Sequence, residues 1–125
     1  MPQDLIRRVL MRLDKNYLPY EYFDQLKNFE TIEIFDGAFM TRLPTIRGLY
    51  FHSNMNAGTE IIEHYHNAKE FFHLTKGKIL INDTVTLEAG DSFSFKPFEL
   101  HNIKVLEECE MYIQFLKDAG IKAVN

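Results

Sequence analysis

The chain has 125 residues, of which 46% are hydrophobic and 26% charged, and this composition is typical of a globular protein long enough for one domain. Its formal net charge is −4, and its 14 Lys and Arg residues form no basic stripe, so nucleic acid is not an expected partner. We find no run of eighteen apolar residues and no basic leader. We therefore expect no membrane span, no signal peptide and a cytoplasmic location.

The first 30 residues predict a helical segment. Residues 3–14 place apolar side chains at helical spacing: Leu5, Ile6, Val9, Leu10 and Leu13. Pro19 interrupts this pattern, and residues 20–29 predict a second short helix. Two helices with balanced charge are a poor match to a DNA-binding helix-turn-helix. We therefore expect residues 1–30 to pack on the rest of the domain or on a partner subunit.

From residue 31 the pattern changes to short segments rich in aromatic and β-branched residues, separated by Gly, Pro, Asn or Asp. Nine segments predict strands: TIEIF, GLYFHSNM, TEIIEHYH, EFFHLT, KILI, VTLEA, DSFSF, HNIKVL and CEMYIQFL. Asn82 and Asp83 predict a tight hairpin turn. No helix-length pattern intervenes, which excludes a parallel βαβ sheet. We expect an all-β, antiparallel sandwich or barrel over residues 31–117, followed by a tail at 118–125.

The segment EHYHNAKE, residues 63–70, suggests a metal site. Side chains alternate along a strand, so His64 and His66 point the same way, and Ile62 shares their face. The next three residues are turn-like, which places Glu70 at the start of an adjacent antiparallel strand. Two imidazoles and a carboxylate then form one face of an octahedron with open positions. This arrangement suits Fe(II) and related divalent metals.

A second segment, GDSFSFKPFELH at residues 90–101, offers a fourth ligand. Phe93 and Phe95 alternate on one face, which predicts core packing. His101 begins another strand and is placed to join the first three residues. His73 lies three residues after Glu70, so regular alternation puts it on the opposite face and it is not counted as a ligand.

The first of these segments resembles the first motif of the cupin superfamily. Residues 58–77 fit the motif at every fixed position: Gly58, five residues, His64-x-His66, three residues, Glu70, six residues and Gly77. The second motif is degenerate, because only Gly90 and His101 fit. Lys96, Phe98 and Val105 stand where the family motif has proline, glycine and asparagine.

The resemblance implies a small antiparallel jelly-roll barrel that often pairs into homodimers. It also implies one divalent transition metal, Fe, Mn, Ni, Zn or Cu, held inside the barrel by His64, His66, Glu70 and His101. The sequence has no glycine-rich nucleotide-binding loop, so we expect no nucleotide cofactor. The departures at Lys96 and Phe98 affect the turn before His101, and Phe98 is a candidate for the pocket mouth.

The expected function is that of a metal-dependent enzyme acting on a small molecule, of the dioxygenase, isomerase, decarboxylase or lyase type. The alternative is a non-catalytic cupin that binds or senses a small ligand. A third interpretation keeps the motif but loses the metal.

In the strand GLYFHSNM the apolar set is expected to face the core, which puts Tyr50 and His52 outside. If the register is reversed, Tyr50 and His52 line the pocket as acid/base candidates.

Overall fold

The computed structural model describes residues 16–117. The predicted helix over residues 3–14 and the tail at 118–125 therefore lie outside the described residues. The described chain contains one short helix, α1 (Tyr20–Asp24), and eight strands: β1 (Thr31–Phe35), β2 (Ala38–Leu43), β3 (Leu49–Met55), β4 (Glu60–His64), β5 (Lys69–Ile81), β6 (Val85–Glu88), β7 (Ser92–Phe95) and β8 (His101–Leu116). No helix in this part of the chain is long and apolar enough to span a membrane.

The helix is shorter than the predicted 20–29. It begins after Pro19, whose extended backbone conformation (ψ 155°) cannot continue a helix towards the N-terminus. At its other end, the Arg42 guanidinium donates hydrogen bonds to the backbone carbonyls of Asp24 and Leu26. These carbonyls are satisfied from outside the helix, so its last turn needs no further residues.

All the strand pairs are antiparallel, which confirms the expected all-β class with a short helical segment. The hydrogen-bonded order is β1-β2-β3-β8-β5-β6, with β4 added on β8 and β7 added on β5. The first half of β8 pairs with β4 and its second half with β3. The first half of β5 pairs with β7 and its second half with β6. The two long strands thus run through both layers of an open, cupin-like β-sandwich rather than a closed ring.

The described residues form eight strands rather than the predicted nine. Strand β2 was not predicted, and β5 and β8 each join two predicted segments. Gly77 lies inside β5 with a φ of +92°, and a Cβ at this position would come within 2.3 Å of the Glu108 carbonyl oxygen. The glycine allows a close backbone approach at a series of register shifts, so it marks a bulge and not a strand end.

The core lies between the two layers and follows the alternation of β3 and β8. Most of the inward residues of these two strands are buried apolar side chains, among them Leu49, Phe51, Met55, Met111, Ile113 and Phe115. Phe95 on β7 is buried, and Phe93 is partly buried against the same core. The predicted hairpin turn is confirmed, since Asn82 and Asp83 both have positive φ and join β5 to β6.

Candidate metal centre

Four polar side chains come together in the interior, at the ends of three strands. His64 is the last residue of β4 and His66 follows it by two, Glu70 is the second residue of β5, and His101 is the first residue of β8. All four are buried, with exposed fractions of 6%, 4%, 8% and 1% in chain order. Polar groups lose hydration when they are buried, so each needs a partner inside the protein.

The side-chain atoms of the cluster are close enough to share one ligand. One ring nitrogen from each histidine lies within 4.8 Å of the other two. Glu70 Oε1 lies 3.3 Å from His66 Nε2 and 3.3 Å from His101 Nε2. The structure thus brings together all four residues that the sequence singles out as metal ligands.

Backbone carbonyls fix the orientation of the three imidazole rings. The Nδ1 atoms lie 2.8 Å from the Ile62 oxygen for His64, 2.7 Å from the Leu18 oxygen for His66 and 3.0 Å from the Glu99 oxygen for His101. A carbonyl oxygen only accepts hydrogen bonds, so each ring must donate from Nδ1. A neutral ring then has an unprotonated Nε2, which is the atom that a metal ion would bind.

The Glu70 carboxylate, like the orientation of the three rings, indicates a metal centre. Its Oε1 atom is fully buried and has no hydrogen-bond donor in good geometry. A carboxylate oxygen facing unprotonated nitrogens is unfavourable, because every neighbouring atom presents a lone pair. Either a proton on one Nε2 or a metal cation would relieve it. A divalent metal matches the full set of donors, three imidazole nitrogens and one carboxylate.

Burial and mutual contacts shift the ionisation of the cluster in different directions. Burial lowers the pKa of His64 from its ordinary value of 6.5 to about 3, and the neighbouring His101 and His66 act in the same direction. Burial alone would raise the pKa of Glu70, but the neighbouring imidazoles of His101 and His66 lower it overall. Burial opposes the charged form of His101, yet the Glu70 carboxylate raises its pKa overall.

The cluster faces an interior cavity of about 40 Å³ with apolar walls. Besides the four polar residues, the cavity is lined by Leu18, Phe23, Ile34, Phe35, Met40, Met55, Ile61, Phe72, Ile103, Met111, Ile113 and Phe115. Several aromatic rings hold the imidazoles in place. Phe95 stacks on His101 with ring centroids 3.9 Å apart, and the edges of Phe23 and Phe115 pack against His66.

The structure does not bring the two acid/base candidates to this cavity. Tyr50 and His52 point to the outer surface of β3. Tyr50 stacks on Tyr112 with centroids 5.8 Å apart, and His52 Nε2 lies 3.3 Å from a Glu110 carboxylate oxygen. The register that keeps the apolar side chains of β3 in the core excludes these two residues from the pocket. His73 is also exposed, and its Nδ1 lies 2.7 Å from Ser92 Oγ.

Two details of the predicted geometry around the histidines are wrong. Ile62 does not share the histidine face, because it is 59% exposed whereas Ile61 is 4% exposed. A register shift between Ile61 and His64 adds a residue and reverses the alternation. The strands that carry His64 and Glu70 are also not directly adjacent, contrary to the prediction. Strand β8 lies between β4 and β5, and His101 stands opposite His64 in the ladder.

The degenerate second motif keeps its turn. Phe98 adopts a positive φ of 66°, the conformation that favours the glycine of the family motif. Its backbone N–H donates to the His66 carbonyl at 2.7 Å, and Glu99 N–H donates to the Lys96 carbonyl at 3.1 Å. The Phe98 side chain is 63% exposed and is absent from the cavity lining, so it does not form the pocket mouth within the described residues.

Several cavity residues lie outside any motif that sequence reasoning could recognise. Leu18 and Phe23 come from the N-terminal segment, and Ile34, Phe35 and Met40 come from the first hairpin. These are ordinary apolar residues, and only the tertiary fold places them beside the four polar residues of the cluster. One feature of the sequence does point to them. In a strand with one solvent-facing side, apolar and polar residues usually alternate, so two consecutive apolar residues at 34–35 indicate an irregular strand.

Comparison with known proteins agrees with the fold and the site. A family profile described as "Cupin domain" matches residues 51–114, which is more than half of the chain, and the chain therefore belongs to the cupin family. The match includes all four residues of the cluster. No curated protein sequence matches significantly.

Solved structures with the same fold have varied functions. An RmlC-like cupin from Shewanella frigidimarina has a TM-score of 0.63 and 22% identity, over 72% of this chain and 85% of that chain. A predicted oxalate decarboxylase from Thermotoga maritima has a TM-score of 0.57 and 19% identity, over 71% and 91%. A chain from the complex of SigE with the anti-sigma ChrR of Rhodobacter sphaeroides has a TM-score of 0.63 and 17% identity, over 92% and 67%. These similarities establish the fold alone.

Proposed function

We propose that the protein is a metal-dependent cupin enzyme that acts on a small, uncharged molecule. His64, His66, Glu70 and His101 would hold one divalent transition metal, either Fe, Mn, Ni, Zn or Cu. The observation that carries this proposal is the convergence of three Nε2 atoms and Glu70 Oε1 on an apolar cavity, with each Nδ1 bonded to a backbone carbonyl. Such orientation of the ligands is typical of metal centres.

The residues of the site have separate tasks. The metal, when bound, supplies Lewis-acid or redox chemistry. The three backbone carbonyls keep the imidazoles aimed at it, and the Glu70 carboxylate offsets part of its positive charge. The apolar walls exclude water, which strengthens electrostatic interactions inside the cavity.

The cavity lining favours one reaction class over the others. Apart from the four polar residues, none of the lining residues within 16–117 can donate or accept a proton, and none carries a positive charge that would bind a carboxylate. Isomerisation and decarboxylation of anionic substrates usually need such groups. Oxidation of an uncharged substrate by O₂ needs fewer of them, because a bound metal would supply the redox chemistry. We therefore favour an oxygenase that acts on an uncharged substrate.

The test has two stages. Full-length protein purified without a metal-binding tag should contain about one transition metal ion per chain by elemental analysis, as expected for one complete set of ligands. The Fe(II)-loaded protein should then consume O₂ in the presence of a small uncharged substrate from a compound screen. Metal-free protein that takes up no Fe, Mn, Ni, Zn or Cu at neutral pH would refute the proposal.

A non-catalytic ligand-binding cupin is the second candidate. Two observations favour it: the cavity is small, and one structural neighbour comes from a complex with an anti-sigma protein. The discriminating measurement is stoichiometry. A sensor binds one ligand per site and releases it unchanged, whereas an enzyme converts many equivalents of substrate per metal ion.

A further inference from the structure

The cavity of the metal centre approaches the surface at one place in its lining. Sixteen described residues line it, and fourteen of them are buried. The two exceptions are Ile34 and Phe35, which are consecutive residues of β1 and only partly buried. The Phe35 ring lies beside a metal-ligand residue, with its centroid 5.4 Å from that of His64.

A bulge in β1 explains how two consecutive residues reach the same cavity. In the pairing with β2, Glu33 faces Phe39 and Phe35 faces Ala38, and the register shifts between Glu33 and Phe35. Ile34 therefore has no opposite residue in the ladder. Regular alternation would send Ile34 and Phe35 to opposite sides of the sheet, whereas a bulge re-aims a side chain and places both at the cavity.

Ile34 and Phe35 lie on an edge strand that is followed by a rigid turn. Strand β1 is at one end of the strand order and pairs only with β2 among the described strands. The turn after Phe35 is fixed, because Gly37 N–H donates to the Glu33 carboxylate at 3.0 Å and Asn56 N–H donates to the Gly37 carbonyl at 2.9 Å. An edge strand with an anchored turn allows side-chain movement without displacing the hairpin.

The size of the cavity shows why these side chains matter. A water molecule needs about 10–15 Å³ of cavity volume, so a cavity of about 40 Å³ holds roughly three water molecules. A metal ion and one diatomic ligand would nearly fill it. A larger organic molecule fits only if a wall moves, and Ile34 and Phe35 are the wall residues that are not enclosed on all sides.

We infer that Ile34 and Phe35 determine which molecules reach the metal centre. Diatomic ligands and water pass beside the Phe35 ring, whereas a molecule with a ring or branched chain enters only when Phe35 rotates away. The role in selecting a substrate rests on the proposed function. The passage to the cavity does not, because it follows from the lining and the bulge alone.

The first experiment probes the passage without a metal. Diethyl pyrocarbonate modifies accessible histidines, and mass spectrometry of the full-length, chelator-treated protein measures the rate at His64 relative to exposed His73. Phe35→Ala should raise this relative rate several-fold, and the bulkier Phe35→Trp should lower it. Phe39→Ala, which removes an aromatic ring from the outer face of the same hairpin, should leave it unchanged. Equal rates in all the proteins, or a rise in both Phe35 variants, would overturn the inference.

The second experiment measures selection by size on the Co²⁺-loaded protein. Azide and 4-phenylimidazole are titrated as small and large metal ligands and followed by visible absorption. Phe35→Ala should strengthen 4-phenylimidazole binding by at least about tenfold, the scale on which pocket shape discriminates, and leave azide binding nearly unchanged. Equal gains for both ligands, or none, would refute a role in selection. Wild-type protein that binds no Co²⁺ would count against the proposed function, and the first experiment would still decide the passage.

Discussion

Two histidines of the candidate metal centre, His64 and His101, share one cavity but differ in their affinity for protons. His64 resists protonation because it is buried beside two other imidazoles, which lowers its pKa to about 3. His101 gains a proton more readily because the Glu70 carboxylate outweighs the effect of burial on its pKa. Of these two residues, His101 is therefore the one at which protons compete more strongly with a metal ion.

This difference predicts the pH dependence of metal binding. The pKa of His101 is raised above 6.5, so the proton on Nε2 appears as the pH falls through that raised value and blocks the metal. We expect metal affinity to begin falling on the alkaline side of pH 6.5 and to continue falling in acid. Competition with a chelator, corrected for the chelator's own protonation, measures it. His101→Ala should bind more weakly but with a flatter profile, and constant wild-type affinity across this range would contradict the prediction.

Removing one of the candidate metal ligands should weaken metal affinity more than changing the groups around that ligand does. Changes to groups around metal ligands cost about 10–100-fold in affinity, so we expect His66→Ala to lose more than about 100-fold. His73→Ala is the matched control, because His73 is an exposed histidine on the outer side of β5 and should bind metal normally. Metal content and circular dichroism should be measured on both. Full occupancy in His66→Ala would place the metal elsewhere.

At the scale of elements, the sequence predicts what depends on local pattern. Alternation along β3 and β8 correctly separates inward Phe51 and Met111 from outward His52 and Tyr112. It fails where a bulge changes the count, as at Ile62, because a bulge is a response to neighbouring strands rather than to local sequence. The family motif identifies the clustered side chains, but Leu18, whose carbonyl orients His66, comes from a distant segment without any motif.

The bulge in β5 gives a prediction about stability. Gly77 and Gly58 have similar positive φ values of 92° and 86°, but a Cβ at Gly77 meets the Glu108 carbonyl oxygen whereas one at Gly58 meets nothing within 4 Å. Both alanine variants should lose about 1–2 kcal/mol through the left-handed conformation. Gly77→Ala should lose about 1–3 kcal/mol more, the usual cost of overpacking. Urea denaturation measures both variants, and equal losses would mean that the close approach costs nothing.

At the scale of the whole molecule, the N-terminal residues are expected to need a partner surface. The apolar face predicted over residues 3–14 lies outside the described residues, and a lone helix of this length is marginally stable in water. We expect deletion of residues 1–15 to lower the melting temperature or to convert a homodimer to monomers. The deletion retains Tyr17, which stacks on Tyr65 with centroids 4.9 Å apart. Thermal denaturation and light scattering coupled to size exclusion measure the two effects.

A pair of single substitutions separates the apolar face from the rest of this segment. Leu10→Asp places a charge on the predicted apolar face, whereas Arg8→Asp places the same charge on the polar face. Only the first should reproduce the effect of the deletion. If the truncated chain keeps both its melting temperature and its size in solution, the segment is dispensable and the prediction fails.

The long ladder between β5 and β8 has a consequence for the order in which the molecule is assembled. Lys69 pairs with Leu116 and Ile81 with Ile103, so this ladder joins parts of the chain that are far apart in sequence. Chains dominated by such distant pairings fold slowly, over roughly milliseconds to seconds. Glu70 and His101 lie at the starts of these two strands. The four candidate ligands therefore come together only when this ladder has formed, and we expect a metal ion to bind the folded chain rather than to nucleate its folding.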